Sequence, residues 1–396
     1  MTTRRGFLGT TLAGAASAAN RATVERKIGG TLTKEDLPTP SMVVDLDIFE
    51  RNLKHMAEST KNGGISVRPH VKIHKCPEVS KRQAALGSIG VSCATIAESE
   101  LMHDSGIQGI LWTCQPAGRH KIGRAVALAK KAPTFIVVVD DPITVDHLDE
   151  AAGAAHTKMN VIVDTFVGLA RQGVQQGDKA LALAQKVDRS RNLKLRGLMG
   201  YSGSASHFHG FEERRLYSAS ALAPMQETRD LCRKSGLNTE ILTGGSTGTY
   251  NIDKANGLTE LQSGSYIFMD TIYCKVGGQN NKHVYDDFGA SLTVLTTVVS
   301  KTRDGMAAID CGNKALLRPT DEVKGMPDVK VENAGAEYGM LYFREGARDI
   351  KLGSRVELYP SNLDMSTNVY DKYYIAKGDR IVDAWPIMGR AGAAQR

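Results

Sequence analysis

The basic segment Arg68-Pro-His-Val-Lys-Ile-His-Lys75 contains residue types that suit amine chemistry. It stands at the end of a short β-branched run, residues 65–69, that is typical of a strand. In a barrel of alternating strands and helices, the groups that do chemistry lie where strands end. Lys72 is then expected at the barrel mouth, where partial desolvation lowers the pKa of its amine and makes it nucleophilic. A solvated basic loop explains this segment equally well when it is taken alone.

A second segment, Thr243-Gly-Gly-Ser-Thr-Gly-Thr249, has the composition of an anion-binding loop. Its glycines let backbone amides approach an anion, its hydroxyls add donors, and a following helix start adds its dipole. Phosphate sites occur at this place in barrels, although a flexible turn has a similar composition. A lysine nucleophile and a phosphate-binding loop at one barrel mouth together indicate pyridoxal phosphate.

The elements that must position these groups follow a regular rhythm. Short β-branched runs alternate with helical patterns, among them residues 48–59, 77–85, 122–132 and 212–235. This alternation predicts an α/β fold, a (β/α)8 TIM-type barrel over residues 36–275. The eight predicted strands are residues 41–45, 65–69, 91–95, 109–113, 135–140, 159–165, 195–201 and 240–243.

After about residue 275 the pattern changes to short strands joined by turn-rich segments. This pattern predicts a C-terminal antiparallel β domain over residues 276–396. Its predicted strands are residues 291–299, 306–309, 338–343, 354–359, 373–376 and 380–385.

The composition is that of an ordinary globular enzyme, with 41% hydrophobic and 23% charged residues among 396. The formal net charge is +7, but lysines and arginines are scattered, which argues against a nucleic-acid partner and suits a small anionic ligand. The six cysteines are spread singly, so their spacing indicates neither a structural zinc nor a redox motif. No segment has the length and hydropathy of a membrane span.

The N-terminus has the pattern of a twin-arginine export signal. Arg4 and Arg5 precede Phe7-Leu8 and a short apolar stretch, and Ala16-Ser-Ala18 resembles a cleavage site. We therefore expect residues 1–18 to be a signal peptide and the mature enzyme to be periplasmic. The alternative is a disordered basic tail.

Four segments together resemble the D-threonine aldolase family. They are Pro38-Thr-Pro40, the lysine segment extended to Glu78, the glycine loop, and Leu261-Gln-Ser-Gly-Ser-Tyr266. That family is related to eukaryotic-type D-serine dehydratases and to 3-hydroxy-D-aspartate aldolases, and it shares the alanine racemase fold, usually as a dimer. The resemblance runs from about residue 36 to 390. It implies a homodimer that acts on a small D-amino acid.

The resemblance also implies roles for single residues. It makes Lys72 the lysine that holds pyridoxal phosphate as a Schiff base, and His207 the group that takes a proton from the substrate β-hydroxyl, although His209 stands close by in the sequence. Gln262 and Tyr266 fall in a shared motif without an assigned role. The remaining cofactor-binding positions that it implies are Arg171, Tyr201, Gly244, Gly245, Ser246 and Thr247.

One departure from the family pattern concerns a metal site. Where the family has a histidine two residues before an acidic or thiol ligand, this chain has Asn362 and Asp364. An amide oxygen in place of an imidazole weakens a transition-metal site and leaves at best a loosely held hard cation such as Mg²⁺.

The function that the resemblance implies is a lyase, which cleaves D-β-hydroxy-α-amino acids to glycine and an aldehyde. The alternatives are a dehydratase of the D-serine or 3-hydroxy-D-aspartate type, a racemase, and a pyridoxal-phosphate carrier without turnover. The predicted β domain argues against the carrier, because carriers of that kind are single barrels.

Overall fold

The computed structural model describes residues 31–316, 322–344, 346 and 349–390. The predicted export signal, residues 1–18, lies outside this part of the chain. Within it, no helix combines the length and the apolar character that a membrane crossing requires. All six cysteines are free thiols.

The first strand, β1 (Ser41–Asp45), does not open the barrel as the sequence predicted. It lies in the second sheet, antiparallel to residues 292–295 and parallel to residues 373–376. Its first four residues are all buried, a pattern that fits the interior of either sheet, so hydrophobic patterning could not assign it. The Asp45 carboxylate accepts from the Ile48 amide, which starts the next helix directly after the strand.

The barrel contains eight strands that pair only in parallel, which confirms the predicted α/β-barrel class. The strand that the sequence missed is the last one, because two residues are too few to show a hydrophobic period. The strands are β2 (Ser66–Val67), β3 (Val91–Cys93), β4 (Ile110–Trp112), β5 (Ile136–Val139), β6 (Met159–Asp164), β7 (Leu193–Gly200), β8 (Ile241–Gly244) and β9 (Glu260–Leu261).

Helices cover the outside of these strands, and four predicted ones are found within a few residues of their expected bounds. The α-helices are α1 (Leu46–Gly63), α2 (Pro77–Ala85), α3 (Ile96–Asp104), α4 (Arg119–Lys131), α5 (Pro142–Ala154), α6 (Asp178–Arg189), α7 (Gly203–Ser206), α8 (Phe211–Lys234), α9 (Thr271–Cys274) and α10 (Leu363–Ser366). Single 3₁₀ turns occupy Lys34–Asp36, Val71–Ile73, Thr247–Thr249 and Ser265–Ile267.

The second sheet is mixed, because β1 adds one parallel pair to an otherwise antiparallel set. The predicted antiparallel domain is corrected in this respect: its strands come from both ends of the described chain. They are β1 with β10 (Leu292–Arg303), β11 (Met306–Ile309), β12 (Lys330–Asn333), β13 (Gly339–Tyr342), β14 (Arg355–Leu358), β15 (Lys372–Lys377) and β16 (Arg380–Pro386). The largest of three hydrophobic clusters among the described residues contains residues of both sheets, and in it Phe49 packs edge-on against Trp385 at 5.3 Å.

The barrel closes next to the lysine segment. A parallel bridge joins His70 to Ser92, between β2 and β3. On the other side of β2, Arg68 makes a bidentate ion pair with Glu260 of β9, with donor–acceptor distances of 3.0 and 2.9 Å. Arg68 also donates to the Gly109 carbonyl. Because both charged side chains are buried, the pair sets the position of the strand that precedes Lys72.

This geometry gives a stability prediction. Arg68→Met should lower the free energy of unfolding by about 3–5 kcal/mol, since it leaves the Glu260 carboxylate buried without its partner. The matched control is Arg215→Met, which removes the exposed pair with Glu212 within α8 and should cost less than about 1 kcal/mol. Urea unfolding of the two variants measures the difference. Equal losses would show that the buried pair does not hold the barrel closed.

Candidate active site

A cleft of about 130 Å³ lies where the barrel mouth meets the β domain. The sequence-predicted residues that line it are Lys72, Tyr201, His207, Ser246, Thr247, Asn362 and Asp364. Thus residues far apart in the chain meet at one place. The lining residues without a predicted role are His70, Gln262, Ser265, Asp270 and Tyr273, among others.

Lys72 sits on the 3₁₀ turn Val71–Ile73 that follows β2. Its amine lies 2.9 Å from the Asp364 carboxylate, which comes from the β domain. Burial by itself lowers the pKa of Lys72, but Tyr201 and Asp364 raise it more, and the pKa ends above its ordinary value. The sequence-based prediction of a lowered pKa is therefore wrong, because the acidic partner was not visible in the local sequence.

Two histidines flank Lys72 and are held neutral. Burial, together with the charge of Lys72, places the pKa of His70 well below its ordinary value. Burial lowers the pKa of His74 to about 3. The His74 ring accepts from the Cys76 amide at 3.1 Å, so it shapes the turn that carries the lysine. These histidines therefore add no positive charge to the cleft at neutral pH.

The glycine loop after β8 forms a buried cradle. Gly245 has a φ of +69°, and a Cβ there would lie 2.8 Å from Leu261 and 2.9 Å from Asp253. The chain then turns into Thr247–Thr249, where the N–H groups of Thr247 and Gly248 have no acceptor within the described part of the chain. Unpaired, buried N–H groups beside hydroxyls suit the oxygens of a phosphate.

Tyr201 follows β7 and lines the cleft, as predicted. The Arg171 guanidinium lies 5.7 Å from the centre of the Tyr201 ring, in a cation–π contact. Arg171 is exposed and stands at the edge of the cleft rather than in its lining. Its charge nevertheless lowers the pKa of both His70 and Lys72, which places it close to the site.

His207 lines the cleft, whereas the neighbouring His209 does not. The ring of His207 packs 4.5 Å from that of Tyr273, and its Nδ1 lies 3.3 Å from the Gly203 carbonyl oxygen. The His207 side chain stays accessible to solvent, and partial desolvation at the cleft lowers its pKa below the ordinary value. At neutral pH the ring is therefore uncharged. With Nδ1–H donating to Gly203, Nε2 is the nitrogen that accepts a proton.

Asp270 is a site residue that sequence reasoning missed. It is buried, it lines the cleft, and burial raises its pKa to about 7. Its carboxylate accepts from the Tyr273 amide at 2.9 Å and so caps α9. The available signal was an aspartate shortly after the shared motif that contains Gln262 and Tyr266. Gln262 lines the cleft, while Tyr266 is a core residue bonded to the Gln83 amide.

The residues at the predicted metal position do not fit a resident metal. The Asn362 side-chain oxygen accepts from the Met365 amide at 3.0 Å and caps α10. Asp364 is paired with Lys72. Among the described residues, no group of three or more histidine, cysteine, aspartate or glutamate side chains is arranged to hold a metal ion.

Comparison with known proteins places this cleft in a family. Residues 44–272 match the family model of the alanine racemase N-terminal domain, and residues 291–376 match that of a putative serine dehydratase domain. A D-threonine aldolase from Arthrobacter sp. is 33% identical over 91% of this chain and 94% of its own length. The chain belongs to the D-threonine aldolase family.

Two further relatives agree with this placement. A 3-hydroxy-D-aspartate aldolase from Paracoccus denitrificans (strain Pd 1222) is 31% identical over 91% of this chain and 94% of its own length. The crystal structure of a D-threonine aldolase from Filomicrobium marinum superimposes with a TM-score of 0.86 at 34% identity. It covers 91% of this chain and 98% of its own.

The family and its alanine racemase-type barrel imply pyridoxal phosphate, and the cleft of this D-threonine aldolase family member fits that cofactor. An amine, Lys72, and a buried cradle of unpaired N–H groups line the same cleft. Ser246 and Thr247 would hold the phosphate, and Lys72 would hold the aldehyde carbon. Tyr201 lines the cleft and would contact the ring, and Arg171 lies against Tyr201 at the cleft edge.

The cradle can be tested with two glycines of similar conformation. Gly245→Ala should weaken pyridoxal-phosphate binding about tenfold or more, because its Cβ would enter the space of Leu261 and Asp253. Gly236→Ala carries a similar backbone strain at a φ of +77° but meets no atom within 4 Å. It should leave the affinity within about twofold. Absorbance titration of the apoproteins measures both, and equal affinities would refute the cradle.

Proposed function

We propose that this protein is a pyridoxal-phosphate-dependent lyase that cleaves D-β-hydroxy-α-amino acids to glycine and an aldehyde. The observation that carries the proposal is one cleft lined by an amine, Lys72, a phosphate cradle at Ser246 and Thr247, and an uncharged histidine, His207. The relatives support it, because the D-threonine aldolase and the 3-hydroxy-D-aspartate aldolase both carry aldolase names at 31–33% identity.

The cofactor, when bound, supplies an electron sink that stabilises the carbanion left at Cα. The residues of this chain would bind and orient the cofactor and move the proton. The N–H groups at Thr247 and Gly248 would bind the phosphate and so orient the ring system within the cleft. Lys72 would hold the cofactor through its amine. The Asp364 carboxylate holds the Lys72 amine in the cleft through the ion pair seen at 2.9 Å.

Bond cleavage needs a base at the β-hydroxyl. Nε2 of His207 accepts the hydroxyl proton, the oxygen electrons form the aldehyde C=O, and the Cα–Cβ bond breaks towards Cα. A neutral imidazole is required for this step, and the lowered pKa of His207, caused by partial desolvation, favours that form. The donor set at Asn362 and Asp364 does not fit a resident metal, so the mechanism assigns the proton transfer to the histidine.

Product analysis tests the reaction. D-Threonine, D-phenylserine and 3-hydroxy-D-aspartate should give glycine and the matching aldehyde. A 2-oxo acid with ammonia would instead indicate a dehydratase, and inversion at Cα would indicate a racemase. We expect elemental analysis to find no stoichiometric Mn²⁺ or Zn²⁺, and any added divalent ion, such as Mg²⁺, to act only at millimolar concentration, because one carboxylate is a weak ligand set. One tightly held transition metal per chain would contradict this.

The pH dependence tests His207. Since the base must be neutral, kcat/KM should rise with pH through a pKa below about 6.5 and then stay level. His207→Gln should lower kcat about 100-fold and remove this acid limb, while the cofactor still binds. His209→Gln is the matched control, because His209 does not line the cleft. An unchanged acid limb in the His207 variant would assign the base elsewhere.

We also propose that the enzyme is exported and dimeric. The support for export is the pattern around Arg4 and Arg5, and the support for the dimer is the family resemblance. Fractionation of cells that express the full chain tests the periplasmic location, and light scattering of the purified enzyme tests the homodimer.

A further inference from the structure

The amine of Lys75 is buried at the junction of the barrel and the β domain. Lys75 is 5% exposed, and its amine points away from solvent towards three oxygen atoms. Its Nζ donates to the Asp364 carbonyl at 2.8 Å, to the Thr367 hydroxyl at 2.9 Å, and to the Lys72 carbonyl. An ammonium has three N–H donors, and here each has an acceptor.

The backbone of Lys75 is held as firmly as its side chain. Its φ is +52°, a left-handed conformation that costs free energy in a residue with a side chain. The Lys75 carbonyl accepts from the Met388 amide at 3.0 Å and from the Gly389 amide at 2.9 Å. Gly389 permits this approach, since a Cβ there would lie 3.2 Å from the Lys75 Cβ. Lys75 therefore joins the lysine turn, α10 and the segment after β16.

Two lysines thus contact Asp364 in different ways. Lys75 binds the Asp364 main-chain carbonyl, and Lys72 binds its carboxylate. Helix α10 has four residues, too few to hold its own position, and its Asp364 carbonyl accepts from both Lys75 and Asn368. Burial lowers the pKa of the Lys75 amine to about 8, and the buried Glu98 carboxylate opposes this shift. The position of the Asp364 carboxylate therefore depends on Lys75.

We propose that Lys75 is a positioning residue that fixes the Asp364 carboxylate at the Lys72 amine and so orients that amine within the cleft. The inference rests on the proposed function only in taking Lys72 as the cofactor lysine. It does not depend on which bond of the substrate breaks.

A double-mutant cycle tests the proposal in the full-length protein. Lys75→Met and Asp364→Asn should each slow the capture of pyridoxal phosphate by the apoprotein about tenfold, because each removes one of the contacts that link Lys75 to the Lys72 amine through Asp364. Absorbance follows the capture. Each should lower kcat to a similar extent with KM within about twofold. The double variant should be no slower than either single one. Lys81→Met, which removes an exposed lysine on α2, should leave both rates unchanged.

A gentler pair keeps the test informative where Lys75→Met does not fold. Thr367→Val removes one of the three acceptors of the Lys75 amine, whereas Thr367→Ser keeps the hydroxyl. The valine variant should slow cofactor capture about threefold or more, and the serine variant should match the parent. Equal capture rates in these two variants, or losses that multiply in the double variant, would overturn the proposal. If the wild-type protein captures the cofactor normally but yields products other than glycine, the proposed function fails and the role of Lys75 is unaffected.

Discussion

The ion pair between Lys72 and Asp364 joins the two halves of this structure, and the chemistry of the cleft depends on where it lies. Its side chains are 33% and 38% exposed, so solvent screens it and it contributes little to the free energy of folding. Its importance is geometric. The turn that carries Lys72 is set by the buried contacts of Arg68, and α10 is set by the buried amine of Lys75. The buried contacts on both sides therefore fix the positions of Lys72 and Asp364, although the ion pair between them is weak.

The architecture could be predicted largely from the alternation of strands and helices. The errors fall at strands whose local pattern carries no information about their partners. β1 is apolar on both faces and fits either sheet, so only tertiary pairing decides its place. β9 is two residues long, and it becomes a strand because β2 and β8 flank it. The second sheet is mixed for the same reason, since β1 inserts between β10 and β15.

The parts of the candidate site whose functional residues lie within one short segment could be predicted from the sequence. The lysine turn and the glycine loop are local motifs, and both lie in the cleft. Contacts between distant segments could not be predicted. The sign of the Lys72 pKa shift depends on Tyr201 and Asp364, which reach it only in the folded chain. Asn362 shows the same limit, because its role as a helix cap appears only when α10 is formed.

The central claim is that Lys72 is the amine that holds the cofactor, and covalent trapping tests it most directly. Borohydride reduction of the purified enzyme fixes pyridoxal phosphate to the amine that it occupies, and peptide mapping by mass spectrometry locates it. The account predicts one pyridoxyl group per chain, on Lys72. A label on Lys75 or on a lysine outside the cleft, or no label after reconstitution with the cofactor, would contradict it.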